Sequence, residues 1–130
     1  MAVVGTKGQE LDLLIRQGAS LGPIGCRLTN PDTSPMNLTG AVIRAQIRKT
    51  ASAAASTGAA AVCVITNALN GEFTYEFTTE ATTALVADEV SEEAPASIYT
   101  WDMELQDASG RVTPLVYGKV NVFREVTKTP

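Results

Sequence analysis

Ala41-Val42-Ile43-Arg44-Ala45-Gln46-Ile47-Arg48 alternates residue by residue, with Ala41, Ile43, Ala45 and Ile47 on one face and Arg44, Gln46 and Arg48 on the other. Successive side chains of a strand point to opposite faces, so this segment reads as a β-strand with one face in a core and one in water. The same period of two returns along the chain, and no long segment repeats at the helical period of 3.6. The chain is therefore all-β.

Upstream, Leu11, Leu13 and Ile15 alternate with Asp12, Leu14 and Arg16, which predicts a first strand. A second runs from Leu21 to Thr29 with Ile24, Cys26 and Leu28 facing in, and stops at Asn30-Pro31-Asp32-Thr33-Ser34-Pro35, where two prolines forbid continued pairing. Downstream of Arg48, the Ala/Ser/Thr stretch from Lys49 to Gly58 lacks an apolar stripe and reads as a mobile loop. Ala61 to Thr66 and Glu72 to Thr78 form a hairpin around Asn67-Ala68-Leu69-Asn70-Gly71, whose Asn-Gly step supplies positive φ. Phe73, Tyr75 and Phe77 share one face of its second arm and are assigned to the core.

Thr78 to Leu85 opens on residues that cap helices and predicts one short helical crossover between sheets. The acidic stretch from Asp88 to Pro95 reads as a solvated loop. Tyr99, Trp101, Met103 and Leu105 alternate with Thr100, Asp102, Glu104 and Gln106 in a sixth strand and join Ile43 and Ile47 in the expected core. After the turn Asp107-Ala108-Ser109-Gly110, a last strand is predicted from Val112 to Val126, with Val116, Gly118, Val120, Val122 and Val126 in phase. Seven short strands joined by hairpin turns and one helical crossover describe a two-sheet antiparallel sandwich; a small closed barrel satisfies the same strand count. The helical turn ahead of a strand that opens on Tyr99 resembles the sixth-strand corner of immunoglobulin-like domains, although the cysteine that would form their core disulfide is missing from that strand.

Size and charge bound the function. The 130 residues are 45% hydrophobic and 18% charged, which suits one globular domain with its own core. Residues 10–127 are assigned to that domain, residues 1–9 to a flexible arm and residues 128–130 to a tail. The net charge of −4, with no cluster of Lys and Arg, argues against nucleic acid or an anionic membrane as partner. The longest apolar run, Ala59 to Ile65, is too short to span a bilayer, and the N-terminus lacks the pattern of a signal peptide, so synthesis in the cytoplasm is expected. In that setting Cys26 and Cys63 are expected to stay reduced, and the Asn37-Leu38-Thr39 sequon to stay unglycosylated.

Catalytic chemistry finds little to work with. The chain has no histidine, which removes the commonest general base and transition-metal ligand; two widely separated cysteines make no zinc pair, and neither a phosphate-binding glycine loop nor a nucleophile elbow is present. No catalytic residue, cofactor or metal is expected. Asp102 and Glu104 share one strand face, and in an immunoglobulin-like sandwich they lie across from Arg44 and Arg48, so these four read as structural ion pairs, not as a carboxylate site. Tyr99 and Trp101 suggest a sugar-stacking platform, but their phase assigns them to the core. On the opposite phase of the last strand, Leu115, Tyr117 and Phe123 fall on the wet side and form a candidate protein interface.

The order of short segments resembles a known family. Leu13-Leu14-Ile15-Arg16-Gln17-Gly18-Ala19-Ser20, then Asn37-Leu38-Thr39-Gly40-Ala41 leading into Arg44-Ala45-Gln46-Ile47-Arg48, is similar to the start of immunoglobulin-like domains in tail and baseplate proteins of tailed bacteriophages, of the type at the N-terminus of baseplate upper proteins. Gly71-Glu72-Phe73, Thr79-Glu80-Ala81-Thr82-Thr83-Ala84-Leu85, Tyr99 to Leu105, Gly110-Arg111-Val112, Tyr117 to Val122 and Glu125-Val126-Thr127 follow in the same order, so the resemblance spans most of the chain. It implies a rigid virion adaptor that docks fibres or receptor-binding proteins onto a tail or baseplate, with other virion proteins as partners and many copies in the assembly. No coiled coil or receptor-binding module follows before Pro130, which favours a small stand-alone structural subunit. A head decoration or neck protein is the alternative within this class, and a carbohydrate-binding or adhesion module the alternative outside it.

Overall fold

A computed structural model of the chain describes residues 8–49, 58–85 and 97–123. The described residues form nine strands, β1 (Gln9–Glu10), β2 (Leu13–Arg16), β3 (Leu21–Arg27), β4 (Val42–Arg48), β5 (Ala59–Ala60), β6 (Val62–Asn67), β7 (Glu72–Phe77), β8 (Ser97–Gln106) and β9 (Val112–Phe123), with one short helix, α1 (Thr79–Thr83). They lie in two sheets. The larger runs β1-β9-β8-β4-β5, with β2 also paired to β9; the smaller runs β3-β7-β6. Two sheets sharing one core make a sandwich and not a closed barrel.

Seven strands were expected and nine are present among the described residues, because two pairings of two residues each were invisible to alternation. β5 is one of them: Ala59 and Ala60 pair with Ile47 and Gln46 at the edge of the larger sheet. Ala61 then donates its N–H to the Ala45 carbonyl at 2.9 Å, and the chain crosses to the smaller sheet as β6. The other is β1, which places Gln9 opposite Val116. The expected arm of residues 1–9 therefore ends in a strand, and residues 1–7 of it lie outside the described residues. So do most of the Ala/Ser/Thr loop, the acidic loop, the predicted end of the last strand and the tail.

The sandwich is also not antiparallel throughout. β1 and β2 both run parallel to β9 in one register, Glu10 opposite Tyr117 and Leu13 opposite Val120. Between them the ladder opens at Leu11 and Asp12. The Asp12 carboxylate takes the N–H of Lys119 at 2.9 Å, and the Leu11 carbonyl turns in to accept the indole N–H of Trp101 at 2.7 Å. Gly118 makes the room: a Cβ there would lie 2.1 Å from the Leu11 carbonyl oxygen. One glycine thus lets the N-terminal strand close over the sheet, and a side chain buried in the core holds it there.

The core lies between the inward faces. Ile43 and Ile47 from β4, Phe73, Tyr75 and Phe77 from β7, and Tyr99, Trp101, Met103 and Leu105 from β8 are all buried, with Leu13, Ile15, Leu28 and Leu38. Tyr75 and Phe77 of the smaller sheet meet Trp101 of the larger, with ring centroids at 5.8 and 6.3 Å. Each such ring contributes about 1.5–3 kcal/mol by leaving water, and the edge-on contact of Phe77 with Trp101 adds to that. α1 caps one end. The Thr78 hydroxyl accepts the Ala81 N–H, and Leu85 is buried beneath the helix while its carbonyl accepts from the Gln17 side chain at 2.6 Å. At the other end, Asn67 opens a 3-10 turn over Ala68–Asn70 that Gly71 closes at φ 71°. In the Asn-Gly step only the glycine takes positive φ.

Candidate functional site

The outward face of the larger sheet gathers most of the residues that the sequence singles out. Rows of side chains cross it perpendicular to the strands. Arg44 stands opposite Glu104, Gln46 opposite Asp102 and then Tyr117, and Arg48 opposite Thr100 and then Lys119. The strand period puts all of them on the wet side, because their inward neighbours fill the core. Between the rows lies a groove of about 520 Å³, floored by Thr100 and Asp102 and walled by Arg44, Arg48, Glu104 and Tyr117.

One of the two expected ion pairs forms. The Arg44 guanidinium reaches Glu104 at 3.2 Å and donates to the Gln106 side-chain oxygen at 3.0 Å. Both partners are well exposed, so the pair is worth a few tenths of a kcal/mol. The second pair, Arg48 with Asp102, does not form. Arg48 turns along its own strand and donates twice to the Gln46 side-chain oxygen, at 2.7 and 3.2 Å. Strand register explains this, since Asp102 sits directly opposite Gln46 and only diagonally from Arg48. Asp102 is left without an ion pair among the described residues, and its carboxyl titrates above the usual aspartate range. The first cause is desolvation; the neighbouring Glu104 adds to it and Arg48 partly offsets it.

The expected interface of Leu115, Tyr117 and Phe123 is not one surface. Leu115 is 1% exposed and belongs to the core. Met103 pairs with Val116 but Glu104 pairs with Pro114, so Leu115 is an extra residue in β9, and this bulge turns its side chain inward beside Val116. Pro114 was the available signal, because a proline within a strand falls at its start, at a sheet edge or at a bulge. Tyr117 and Phe123 do face outward and are half-buried, but six residues of strand, about 20 Å, separate them. Tyr117 lines the groove. Phe123 lies at the far end under the Arg16 guanidinium, 5.9 Å from its ring centre.

Alternation missed the apolar group at that end. Leu14 of β2 and Ile98 of β8 stand on either side of Asn121, both strongly exposed, and Phe123 follows Asn121 in phase on β9. Their placement at one end of the sheet depends on the parallel pairing of β2 with β9, which no local pattern reveals. Tyr99 and Trp101, by contrast, are each 2% exposed, so neither ring offers a stacking surface. Cys26 and Cys63 stand on β3 and β6 with β7 between them and are not bridged; burial raises both thiols above their ordinary value. No family model matches the chain, and a search of curated proteins finds no relative.

Proposed function

We propose that this chain is a structural subunit of a tailed-bacteriophage virion, an adaptor of the tail, baseplate or fibre-attachment region that works by docking other virion proteins. The observation that carries the proposal is the strand order. A sheet ordered β1-β9-β8-β4-β5, with β2 also on β9, facing one ordered β3-β7-β6 supports reading the chain as an immunoglobulin-like sandwich without the core disulfide. That reading is in keeping with the segment order that resembles phage tail and baseplate domains.

The outward face of the larger sheet supports a docking role. A polar groove on the same face as the exposed Leu14 and Ile98 and the half-buried Phe123 has the mixed character of a protein interface, an apolar anchor with a charged surround. A rigid sheet presents these groups without a large ordering cost on binding. Mass spectrometry of purified particles from a phage that encodes this chain tests the proposal. The chain is expected in fixed stoichiometry with the tail proteins, and particles that lack it would refute the assignment.

A further inference from the structure

Among the described residues, the smaller sheet ends on a six-residue edge strand, β6. β6 pairs with β7 on one side, and among the described residues no strand pairs with its other side. Unpaired N–H and C=O groups along a strand are a template for another strand, and proteins commonly blunt such edges with charge, proline or a bulge. β6 carries neither charge nor proline, and its one irregularity falls at its end, between Ile65 and Asn67. The sequence from Thr50 through Gly71 contains no charged residue. Val62 and Val64 stand on the outward face at 51% and 50% exposure. Behind Val64 the next outward positions on the sheet are Thr74 and then Gly25, so the surface there is low and flat.

We infer that β6 is a self-association edge, and that a second copy of this chain adds its own β6 antiparallel across a two-fold axis. What fits an unpaired strand edge is another strand, and this one is complementary to itself. With the axis at Val64, the outward row pairs Val64 with Val64 and Val62 with Thr66, β-branched on β-branched, and opposes no like charges. The two three-stranded sheets then become one six-stranded sheet. One six-residue ladder with two exposed valines per chain buries less than the roughly 1,200 Å² of a stable complex, so the pairing is weak and depends on concentration. The inference stands on the strand edge alone and needs no virion.

Sedimentation of the full chain from about 10 μM to about 1 mM, with hydrogen exchange at both ends of that range, tests it. A dimer is expected to appear with concentration, and protection to rise with it at the alternate β6 amides that point away from β7. Val64→Lys places two ammonium groups face to face at the axis on a side chain already exposed, so it should stay monomeric with unchanged circular dichroism and melting temperature. Val64→Thr, which keeps the β-branch, should dimerise. A wild-type chain that remains monomeric throughout overturns the inference, as does a Val64→Lys variant that dimerises like wild type or a dimer that leaves the β6 amides unprotected.

Discussion

Trp101 makes the contact that joins the two sheets to the N-terminal strand. Its ring meets Tyr75 and Phe77, and its N–H holds the Leu11 carbonyl. Trp101→Phe keeps most of the apolar volume and removes the hydrogen bond, so it is expected to cost about 1–3 kcal/mol in urea unfolding. Asp102 carries a charge that folding disfavours. Because its carboxyl titrates higher in the folded protein, this group favours folding below the unfolded aspartate value, and that contribution is lost as pH rises through the folded value. At neutral pH the charge is a cost. Asp102→Asn is therefore expected to raise the melting temperature by about 1–2 °C near pH 7 and to lose that advantage near pH 3. Asp32 and Asp107 behave in the opposite sense: hydrogen bonds, first from the side chains of Ser34 and Ser109, hold them low, and what they contribute is lost as pH falls through their folded values. The core residues were legible in the sequence because alternation reports facing directly. The Arg48 pairing was not, because a shift of two residues along the neighbouring strand separates an ion pair from a diagonal.

At the scale of elements, β9 carries most of what alternation cannot express. It pairs with three strands, holds the bulge at Leu115 and the opening at Gly118, and each irregularity redirects one neighbour. Gly118→Ala places a methyl group into the Leu11 carbonyl and is expected to cost on the order of 2–4 kcal/mol. Faster amide exchange at Leu13 and Ile15 than in the rest of the sheet would locate the damage in β2, and exchange unchanged there would rule out this role for the glycine. Strands β4, β7 and β8 were readable to within two residues at each end, since each keeps one face in the core, and so was β3, although a register shift between Leu21 and Ile24 interrupts its alternation. β1 and β5 were not, because two-residue pairings leave no period to read. The candidate interface failed for the same reason that the strand itself was found: Val116, Val120 and Val122 set the phase, and Leu115 lies one bulge out of it.

For the molecule as a whole, two sheets close on one aromatic-centred core, and the outward face of the larger sheet is left with a groove and an apolar end. Surface substitutions there should separate folding from assembly. Ile98→Asp is expected to leave stability within about 0.5 kcal/mol, since the side chain is mostly in water, while lowering incorporation into particles several-fold. Such a variant that is incorporated like wild type would move the docking surface elsewhere. The most direct measurement is a reconstruction of the assembled particle at side-chain resolution. The sandwich is expected in repeated copies, with Leu14, Ile98 and Phe123 covered by a neighbouring virion protein. A particle without the sandwich, or one in which that face looks onto solvent in every copy, would contradict the account.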